Sequence, residues 1–321
     1  MSSGIRRGRR DIILTAKNDK RVEFYNGLTH ERLAALDMPA SVHELALAPE
    51  GGKAYGSVFG GGVFGRNTDP DHRVVVIDMA SRSVEGFIDV GTYLAPHGLM
   101  FGADGLLWVT AELNNALLGI DVIARKVAAV IDIGGAAHWV TVHPDGTRLY
   151  ASCKQTSSLA VIDLGKRRVT GQITIPNRCE GMTIAADGAY LYLASHAAPE
   201  PNVVDARNDR LLKSIRIEGA VDGPPQLRRA RLSPDNKWLL VSSSKDRNVA
   251  VFSLPALEQT ALIAVGKAPM GFAFPAQEDR ALVCNHDDGI VFMLDLAGGA
   301  VVESFATGNG CEFAEYYSAA G

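Results

Sequence analysis

The chain has 321 residues, of which 32 are Lys or Arg and 36 are Asp or Glu, so its formal net charge is −4. A hydrophobic content of 47% excludes a disordered or collagen-like chain. The near-neutral charge lacks the basic surface typical of nucleic-acid binding, and no apolar run reaches the roughly 18–20 residues of a membrane span. We therefore expect no nucleic-acid or membrane partner. Length alone suggests about two domains, whereas 33 glycines indicate many tight turns.

The chain begins with a basic segment, residues 1–10, that contains four arginines. Asp11 follows it without the roughly 7–15 apolar residues of a secretory signal, so we predict a disordered arm ahead of one folded domain, residues 11–321. The four cysteines lie far apart with no C-x-x-C pair, which indicates reduced thiols rather than a disulfide scaffold or a Cys-rich zinc module. These features predict a cytoplasmic protein.

Residues 95–134 and 136–175 share one pattern. Each has an alternating segment, an Asp-Gly turn, a β-rich segment that ends in polar residues, an apolar segment that ends in Ile-Asp, a charged turn and a last alternating segment. That is four short strands in about 40 residues, the spacing of a propeller blade.

Six complete copies of this repeat can be followed along the chain, and a seventh is divided between its ends. The C-terminus supplies one strand around Phe313–Ser318, and the N-terminus supplies the strands DIILTAK, RVEFYN and RLAALD. Pairing the two ends would close a ring and cover its exposed sheet edges. We predict an all-β, seven-bladed propeller of four-stranded antiparallel blades.

The repeats carry a resemblance to a known family. The stretches PHGLMFGADGLLWVTAELNN, HWVTVHPDGTRLYASCKQ, EGMTIAADGAYLYLASH and MGFAFPAQEDRALVCNH resemble the unit of the YVTN-type propeller repeat family. The resemblance covers nearly the whole chain and implies the fold. It leaves activity open, because such propellers include lactonase-like enzymes, lyases similar to virginiamycin B lyase and plain binding scaffolds.

One position recurs in every copy, and in the complete copies it stands seven residues before the turn acid or its equivalent. The first strand of each propeller blade lines the central channel, so this position places seven side chains around one mouth. Three successive histidines flanked by carboxylates are hard to obtain by drift. In ring order the residues are Glu312, His43, His97, His138, Glu180, Arg228 and Met270.

This channel ring has the chemistry of a metal site. Neutral imidazoles with one or two carboxylates bind Zn²⁺, Fe²⁺ or Mn²⁺ and leave coordination positions open. We expect His43, His97 and His138 to hold a divalent metal, with Glu180 or Glu312 as a fourth ligand. Two alternatives remain: a solvated mouth whose histidines hydrogen-bond to the glutamates, and a metal-free acid/base site.

The loops between second and third strands should open beside the ring. They carry Glu112, Lys154, His196, Lys245 and His286. We expect Glu112, Lys154 and His286 to contact the substrate, and His196 or the glutamate that does not bind metal to act as general acid or base.

Two insertions approach the same mouth. The first, Gly56 to Arg73, is glycine-rich, and we interpret it as a lid over the site whose Phe59, Phe64 and Arg66 contact the substrate; a mobile surface loop is the alternative. The second precedes Arg228, whose guanidinium would either pair with a substrate carboxylate or phosphate or form a structural ion pair with Glu180.

The sequence therefore predicts a metal-dependent enzyme acting on a small, anionic molecule at the top of the channel. Hydrolysis of a lactone or similar carbonyl compound by metal-bound water is the most economical reaction, and lyase or isomerase chemistry needs the same parts. A non-haem iron oxygenase is a further alternative. The rival from another class is a non-catalytic propeller that binds a protein or peptide on its top face.

Overall fold

The computed structural model describes residues 10–63, 65–221, 223, 226–275 and 279–318. Within these residues the chain forms 28 strands and one turn of 3-10 helix, Glu112–Asn114. No helix of the described residues is long and apolar enough to cross a membrane. In chain order the strands are β1 (Arg10–Ala16), β2 (Arg21–Tyr25), β3 (Arg32–Asp37), β4 (Ser41–Leu47), β5 (Lys53–Gly61), β6 (Asp69–Asp78), β7 (Ser83–Asp89), β8 (Pro96–Phe101), β9 (Leu107–Ala111), β10 (Ala116–Asp121), β11 (Lys126–Asp132), β12 (Ala137–Val142), β13 (Arg148–Cys153), β14 (Ser158–Asp163), β15 (Arg168–Thr174), β16 (Cys179–Ile184), β17 (Tyr190–Ser195), β18 (Asn202–Asp205), β19 (Arg210–Ser214), β20 (Leu227–Leu232), β21 (Trp238–Ser243), β22 (Asn248–Ser253), β23 (Glu258–Ala264), β24 (Pro269–Ala273), β25 (Arg280–Asn285), β26 (Ile290–Asp295), β27 (Ala300–Ala306) and β28 (Cys311–Ser318).

These strands form seven antiparallel sheets of four strands each, arranged as a ring. Blades 1 to 6 are β4–β7, β8–β11, β12–β15, β16–β19, β20–β23 and β24–β27, each built from consecutive strands. Blade 7 combines β28 with β1, β2 and β3. The predicted seven-bladed propeller is confirmed, and a single ring takes the place of the two domains that length alone suggested.

The ends of the chain close the ring as predicted. Strand β28 pairs with β1 in antiparallel register, with Ile12 opposite Tyr316 and Ile13 opposite Glu315. Arg10, which we assigned to the N-terminal arm, is the first residue of β1 and lies opposite Ser318; residues 1–9 of that arm lie outside the described residues. The Asp11 carboxylate, fully buried, accepts a hydrogen bond of 2.9 Å from Arg82 of the neighbouring blade 1.

The hydrophobic core lies between the blades. Trp108 of blade 2 packs with Leu149 of blade 3, and Tyr150 of blade 3 packs with Leu191 of blade 4. The aromatic rings therefore fill the wedge between adjacent sheets, and burial of such apolar surface drives the blades together.

The innermost strand of every blade carries the same irregularity. Two residues of the first strand lie opposite one residue of the second strand, which is a β-bulge. In blade 3, for example, His138 and Trp139 lie opposite Ser152. The bulge falls on the channel ring residue and its successor in all seven blades, so the ring residues predicted from spacing occupy equivalent positions.

A hydroxyl group opposite the bulge holds it in five blades. It accepts a hydrogen bond from the backbone N–H of the second bulge residue, as Thr110 does from Gly98 at 2.8 Å. In three blades the same hydroxyl also contacts the carbonyl of the next blade's ring residue, as Thr110 contacts His138 at 3.0 Å. Blades 4 and 6 have Ala194 and Cys284 at this position. The five hydroxyls belong to Thr15, Ser57, Thr110, Ser152 and Ser242.

Most of the first insertion is a strand extension rather than a lid. Strand β5 continues to Gly61 and β6 begins at Asp69, so that Gly60 lies opposite Pro70. Gly60 has a φ of +99°, and a Cβ there would lie 2.2 Å from the Asp69 carbonyl oxygen, so only glycine fits. The predicted lid is therefore limited to the short tip between these strands, and Phe64 within that tip lies outside the described residues.

The hydroxyl bridge gives a stability prediction. Thr110→Val keeps the shape of the side chain but leaves the buried Gly98 N–H without its acceptor, so we expect the free energy of unfolding to fall by about 1–3 kcal/mol. Urea denaturation would measure it. Thr174→Val, on the exposed outer strand β15, should change the value by less than about 0.5 kcal/mol. Equal stability of Thr110→Val and the original protein would contradict the role of the bridge.

Candidate metal centre

The mouth of the channel holds a cavity of about 610 Å³. This volume lies within the range of small-molecule sites. All seven residues of the channel ring line it, together with Val63 and Arg66 from the tip of the β5–β6 hairpin. The spacing of the repeat therefore located a real cavity, and the hairpin tip stands beside it.

The three histidines of the ring stack side by side. The ring centroids of His43 and His97 are 4.2 Å apart, and those of His97 and His138 are 4.0 Å apart. All three side chains are buried. Burial lowers the pKa of His97 well below its ordinary value, and the neighbouring His138 adds to this. His97 is therefore a neutral imidazole at physiological pH, the form that binds metals.

A second ring of side chains inserts between the members of the first. Each comes from the end of a second strand, two residues after the position opposite the bulge. Lys154 of blade 3, for example, contacts Glu180 of blade 4, and Glu112 of blade 2 reaches His138 of blade 3. We predicted four of these residues from the loops but missed Lys17 and Ser244, which also line the cavity. The second ring consists of Lys17, Phe59, Glu112, Lys154, His196, Ser244 and His286.

His97, Glu112 and His138 form the most compact group of ligating side chains. One ligand atom from each lies within 4.8 Å of the other two, and all three residues are buried. Among the residues that the structure describes, both carboxylate oxygens of Glu112 and Nδ1 of His97 lack a hydrogen-bond partner, and Oε2 of Glu112 lies 3.5 Å from Nδ1 of His138. Because leaving buried polar atoms unsatisfied costs about 1–3 kcal/mol each, this donor set fits a cation. We had expected Glu112 to contact the substrate; it lies with the two histidines instead.

His43 has other partners. The Lys17 ammonium lies 2.9 Å from Nε2 of His43 and can only donate there, which leaves the proton of the imidazole on Nδ1. Lys17 also lies 3.4 Å from Glu312. Within the described residues, His43, Glu180 and Glu312 fall outside the compact ligand group, although we had expected them to hold the metal together with His97 and His138.

Glu180 is the centre of a buried ion-pair network. One of its oxygens lies 2.8 Å from Nε2 of His138, and the other contacts Lys154 and lies 2.9 Å from Nδ1 of His196. Burial would raise the pKa of Glu180, but Lys154 and His138 outweigh it and hold this pKa well below its ordinary value. The carboxylate is thus ionised, and it lies beside both His138 and His196.

Arg228 takes part in the ion pair with Glu180, which is one of the two roles we considered. Its Nη1 lies 3.4 Å from Glu180 and its Nη2 donates to the side chain of Gln226 at 3.1 Å. Its buried Nε has no hydrogen-bond partner, although the side chain lines the cavity and is 25% exposed. The guanidinium therefore has donor capacity left for a ligand.

The remaining predicted contacts divide into two groups. Arg66 and His286 line the cavity, and His286 Nδ1 lies 2.7 Å from Asp287. We had predicted that Phe59 contacts the substrate, but its side chain does not line the cavity. It is fully buried in β5, with its ring 5.1 Å from that of His43 and 5.7 Å from that of His97. The prediction was wrong because Phe59 precedes the turn of the hairpin and belongs to its core. It supports the histidine stack from behind.

An ion pair crosses the channel beneath the ring. Arg229 of blade 5 contacts Glu44 of blade 1, and its guanidinium lies 4.2 Å from the centroid of Trp139 in blade 3. Gly181 makes room for it, since a Cβ there would lie 2.6 Å from Arg229 Cδ. Burial raises the pKa of Glu44, and the contact with Arg229 opposes this shift. Arg229 forms the floor of the cavity, and the spacing of the repeat did not predict it.

The buried histidines should make stability depend on pH. Burial, aided by Lys17, holds the pKa of His43 well below its ordinary value of 6.5. Below that pH the unfolded chain binds a proton that the folded protein does not, so His43 lowers stability as pH falls. His43→Gln should therefore reduce the loss of unfolding free energy between about pH 7 and 5, by up to about 1.4 kcal/mol per pH unit. Urea denaturation of EDTA-treated protein would measure this.

The matched control for that comparison is His72→Gln, because the His72 side chain is 44% exposed. It should leave the pH dependence of the unfolding free energy unchanged. An identical pH dependence in His43→Gln and the original protein would show that His43 is not held neutral by burial.

No protein-family model matches the chain, and no curated protein matches it. Among solved structures, the chain is similar to hydrazine synthase from Kuenenia stuttgartiensis, with a TM-score of 0.71 over 85% of this chain and 88% of that one. The sequence identity is 17%, so the likeness concerns the fold and not the activity. It supports the β-propeller architecture, whereas membership of the YVTN-type family stays a prediction.

Proposed function

We propose that the protein is a metal-dependent enzyme acting on a small anionic molecule, with the metal bound by His97, Glu112 and His138. One observation carries the proposal: the Glu112 carboxylate is buried beside two imidazoles, and neither of its oxygens has a hydrogen-bond partner among the described residues. Its Oε2 lies 3.5 Å from Nδ1 of His138 without a hydrogen bond, and a buried carboxylate that accepts no hydrogen bond is costly unless it coordinates a cation. The proposed ligand set replaces His43 and the ring glutamates with Glu112.

Two imidazoles and one carboxylate leave coordination positions open for water and substrate. His97 and His138 line the cavity, so these positions would face the space where a substrate binds. A divalent metal bound there would lower the pKa of a water molecule and polarise a substrate carbonyl. The identity of the metal, Zn²⁺, Fe²⁺ or Mn²⁺, is open in this proposal.

The chain itself supplies the acid/base group and the anion contact. Nδ1 of His196 lies 2.9 Å from the Glu180 carboxylate. This leaves Nε2 of His196 to exchange a proton with the substrate, as in other carboxylate–histidine pairs. Arg228 would orient the substrate through its remaining donors, and Glu312 would act only through Lys17 and His43. These roles suit hydrolysis of a lactone: water adds to the carbonyl carbon while His196 takes its proton, the ring C–O bond breaks, and His196 gives that proton to the leaving oxygen.

Two other reactions use the same parts. In lyase or isomerase chemistry His196 would instead remove a proton next to a carbonyl. A non-haem iron oxygenase is the second candidate, favoured by one observation: two histidines and one carboxylate on one face are the ligand set of such enzymes. A non-catalytic scaffold would require neither the metal nor the polar cavity. Hydrazine synthase, which shares the fold, is itself named as an enzyme.

Metal binding tests the ligand set directly. We expect His97→Ala, Glu112→Gln and His138→Ala each to weaken Zn²⁺ binding by at least about 100-fold, because even outer-shell changes cost 10–100-fold. His43→Ala should stay within about threefold of the original protein, since Lys17 occupies its Nε2. Isothermal titration calorimetry on EDTA-treated protein would measure the dissociation constants.

The control for metal binding is His72→Ala, outside the cavity, which should bind Zn²⁺ as the original protein does. If the original protein binds no divalent metal, the proposal fails. If His43→Ala loses as much affinity as His97→Ala, the ligand set is the one suggested by the sequence.

Activity tests the reaction class. The metal-loaded protein should hydrolyse members of a lactone and ester panel, and Glu112→Gln should lower kcat/KM by at least about 100-fold because the metal is lost. His196→Gln should bind metal normally but lower kcat by about 10²–10⁴-fold. Hydrolysis without loss in Glu112→Gln would contradict metal-dependent catalysis. Oxygen uptake by the Fe²⁺-loaded protein without hydrolysis would favour the oxygenase.

A further inference from the structure

The cavity carries an excess of positive charge. Six cationic side chains line it against three carboxylates, although the whole chain has a net charge of −4. A metal would add further positive charge. A cleft of one sign raises the local concentration of oppositely charged ligands. The cations are Lys17, Arg66, Lys154, Arg178, Arg228 and Arg229, and the carboxylates are Glu180, Glu312 and Asp287.

The cations fall into two groups, those that contact a carboxylate of the protein and those that do not. Lys17, Lys154 and Arg229 each contact a buried glutamate, so their charges are neutralised within the protein. Arg66 and Arg178 are exposed at the rim, and no carboxylate of a described residue lies within 4.0 Å of either. The excess charge is therefore concentrated at the rim and at Arg228.

Arg228 has the geometry of an anion contact. Of its donors, Nη1 is shared with Glu180 at a long 3.4 Å and Nη2 donates to Gln226, and each of these nitrogens carries a second N–H; the buried Nε has no hydrogen-bond partner among the described residues. A carboxylate that approaches a guanidinium edge accepts two parallel hydrogen bonds, which satisfies such donors. Arg178 lines the same cavity and precedes Glu180 by two positions along the chain, so it is placed to add a second positive charge.

The distance between this contact and the proposed metal is short. Glu180 touches His138 through one oxygen and Arg228 through the other. A single carboxylate group therefore separates a metal ligand from the guanidinium. A small molecule with two anionic groups a few bonds apart could reach both.

We propose that the cavity binds a short-chain dicarboxylate, with one carboxylate directed to the metal at His97, Glu112 and His138 and the other held by Arg228 and Arg178. This inference rests on the proposed function for the metal half and on the arginines alone for the other half. The metal fixes one end of the ligand, and the guanidinium selects a second charge at a set distance. Monocarboxylates would lose that second contact.

The test compares Zn²⁺-loaded protein titrated calorimetrically with malonate, succinate, glutarate and adipate, and with the monoacids of equal carbon number, propionate, butyrate, valerate and hexanoate. We expect one diacid length to bind at least about tenfold more tightly than the monoacid of equal carbon number, the effect of one charge-assisted contact. Arg228→Gln should reduce this ratio to near one without changing Zn²⁺ affinity. Arg178→Gln should lower the ratio severalfold. Because Arg178 is exposed at the rim, this variant tests the same subsite even if Arg228→Gln misfolds.

Arg168→Gln is the matched control, because Arg168 is exposed on the outer strand β15; it should keep the full ratio. Equal binding of diacids and monoacids, or a ratio that survives both arginine changes, would overturn the proposal. The arginine contacts can be tested separately from the metal site. In EDTA-treated protein the arginine half should still bind succinate weakly, followed by NMR, and Arg228→Gln should lower that association constant by about tenfold. No such loss would overturn the arginine subsite by itself.

Discussion

The arrangement of the cavity depends on the bulge in each innermost strand and on the hydroxyl that holds it. At the centre of the ring seven innermost strands converge. Each bulge interrupts the pairing with the second strand, so the N–H of the second bulge residue needs an acceptor other than the ladder. A serine or threonine supplies that acceptor in five blades and, in three of them, also contacts the next blade. The blades are thereby fixed relative to one another where the histidines lie, which is a requirement for a precise ligand set.

The bulge also explains how so many charges are buried at one place. Because two consecutive residues face the channel instead of one, the protein places a second layer, Glu44 and Arg229, directly beneath the ring. The buried cations of these layers then meet carboxylates, either between blades, as Lys154 meets Glu180, or within blade 7, as Lys17 meets Glu312. Without such partners the desolvation of these groups would exceed what the core contributes. The carboxylate of Glu112 instead lies beside imidazoles, with Nδ1 of His138 at 3.5 Å, and this is why we propose it as a metal ligand.

Repetition made the fold and the channel ring predictable, since a fixed spacing gives each blade the same phase. Other residues were beyond the pattern for physical reasons. Lys17 lies in the blade built from both chain ends, where the repeat is interrupted. Arg229 follows a ring residue, and strict strand alternation would turn it into the blade; only the bulge turns it inward. Phe59 stands among glycines typical of a loop, yet pairing with β6 extends the strand and buries it. Ligand choice among three histidines depends on hydrogen bonds, such as that from Lys17 to His43, which no spacing reveals.

The salt bridge between Arg229 and Glu44, stacked on Trp139, has a consequence for how ligands enter and leave the cavity. It spans the channel from blade 5 to blade 1, so it closes the cavity at its base and leaves the rim open. Any ligand must enter and leave by one rim, where Arg66 and Val63 of the hairpin tip stand. A product would then have to depart before another substrate could arrive. The turnover of such a site would be governed as much by exchange at the rim as by chemistry at its base.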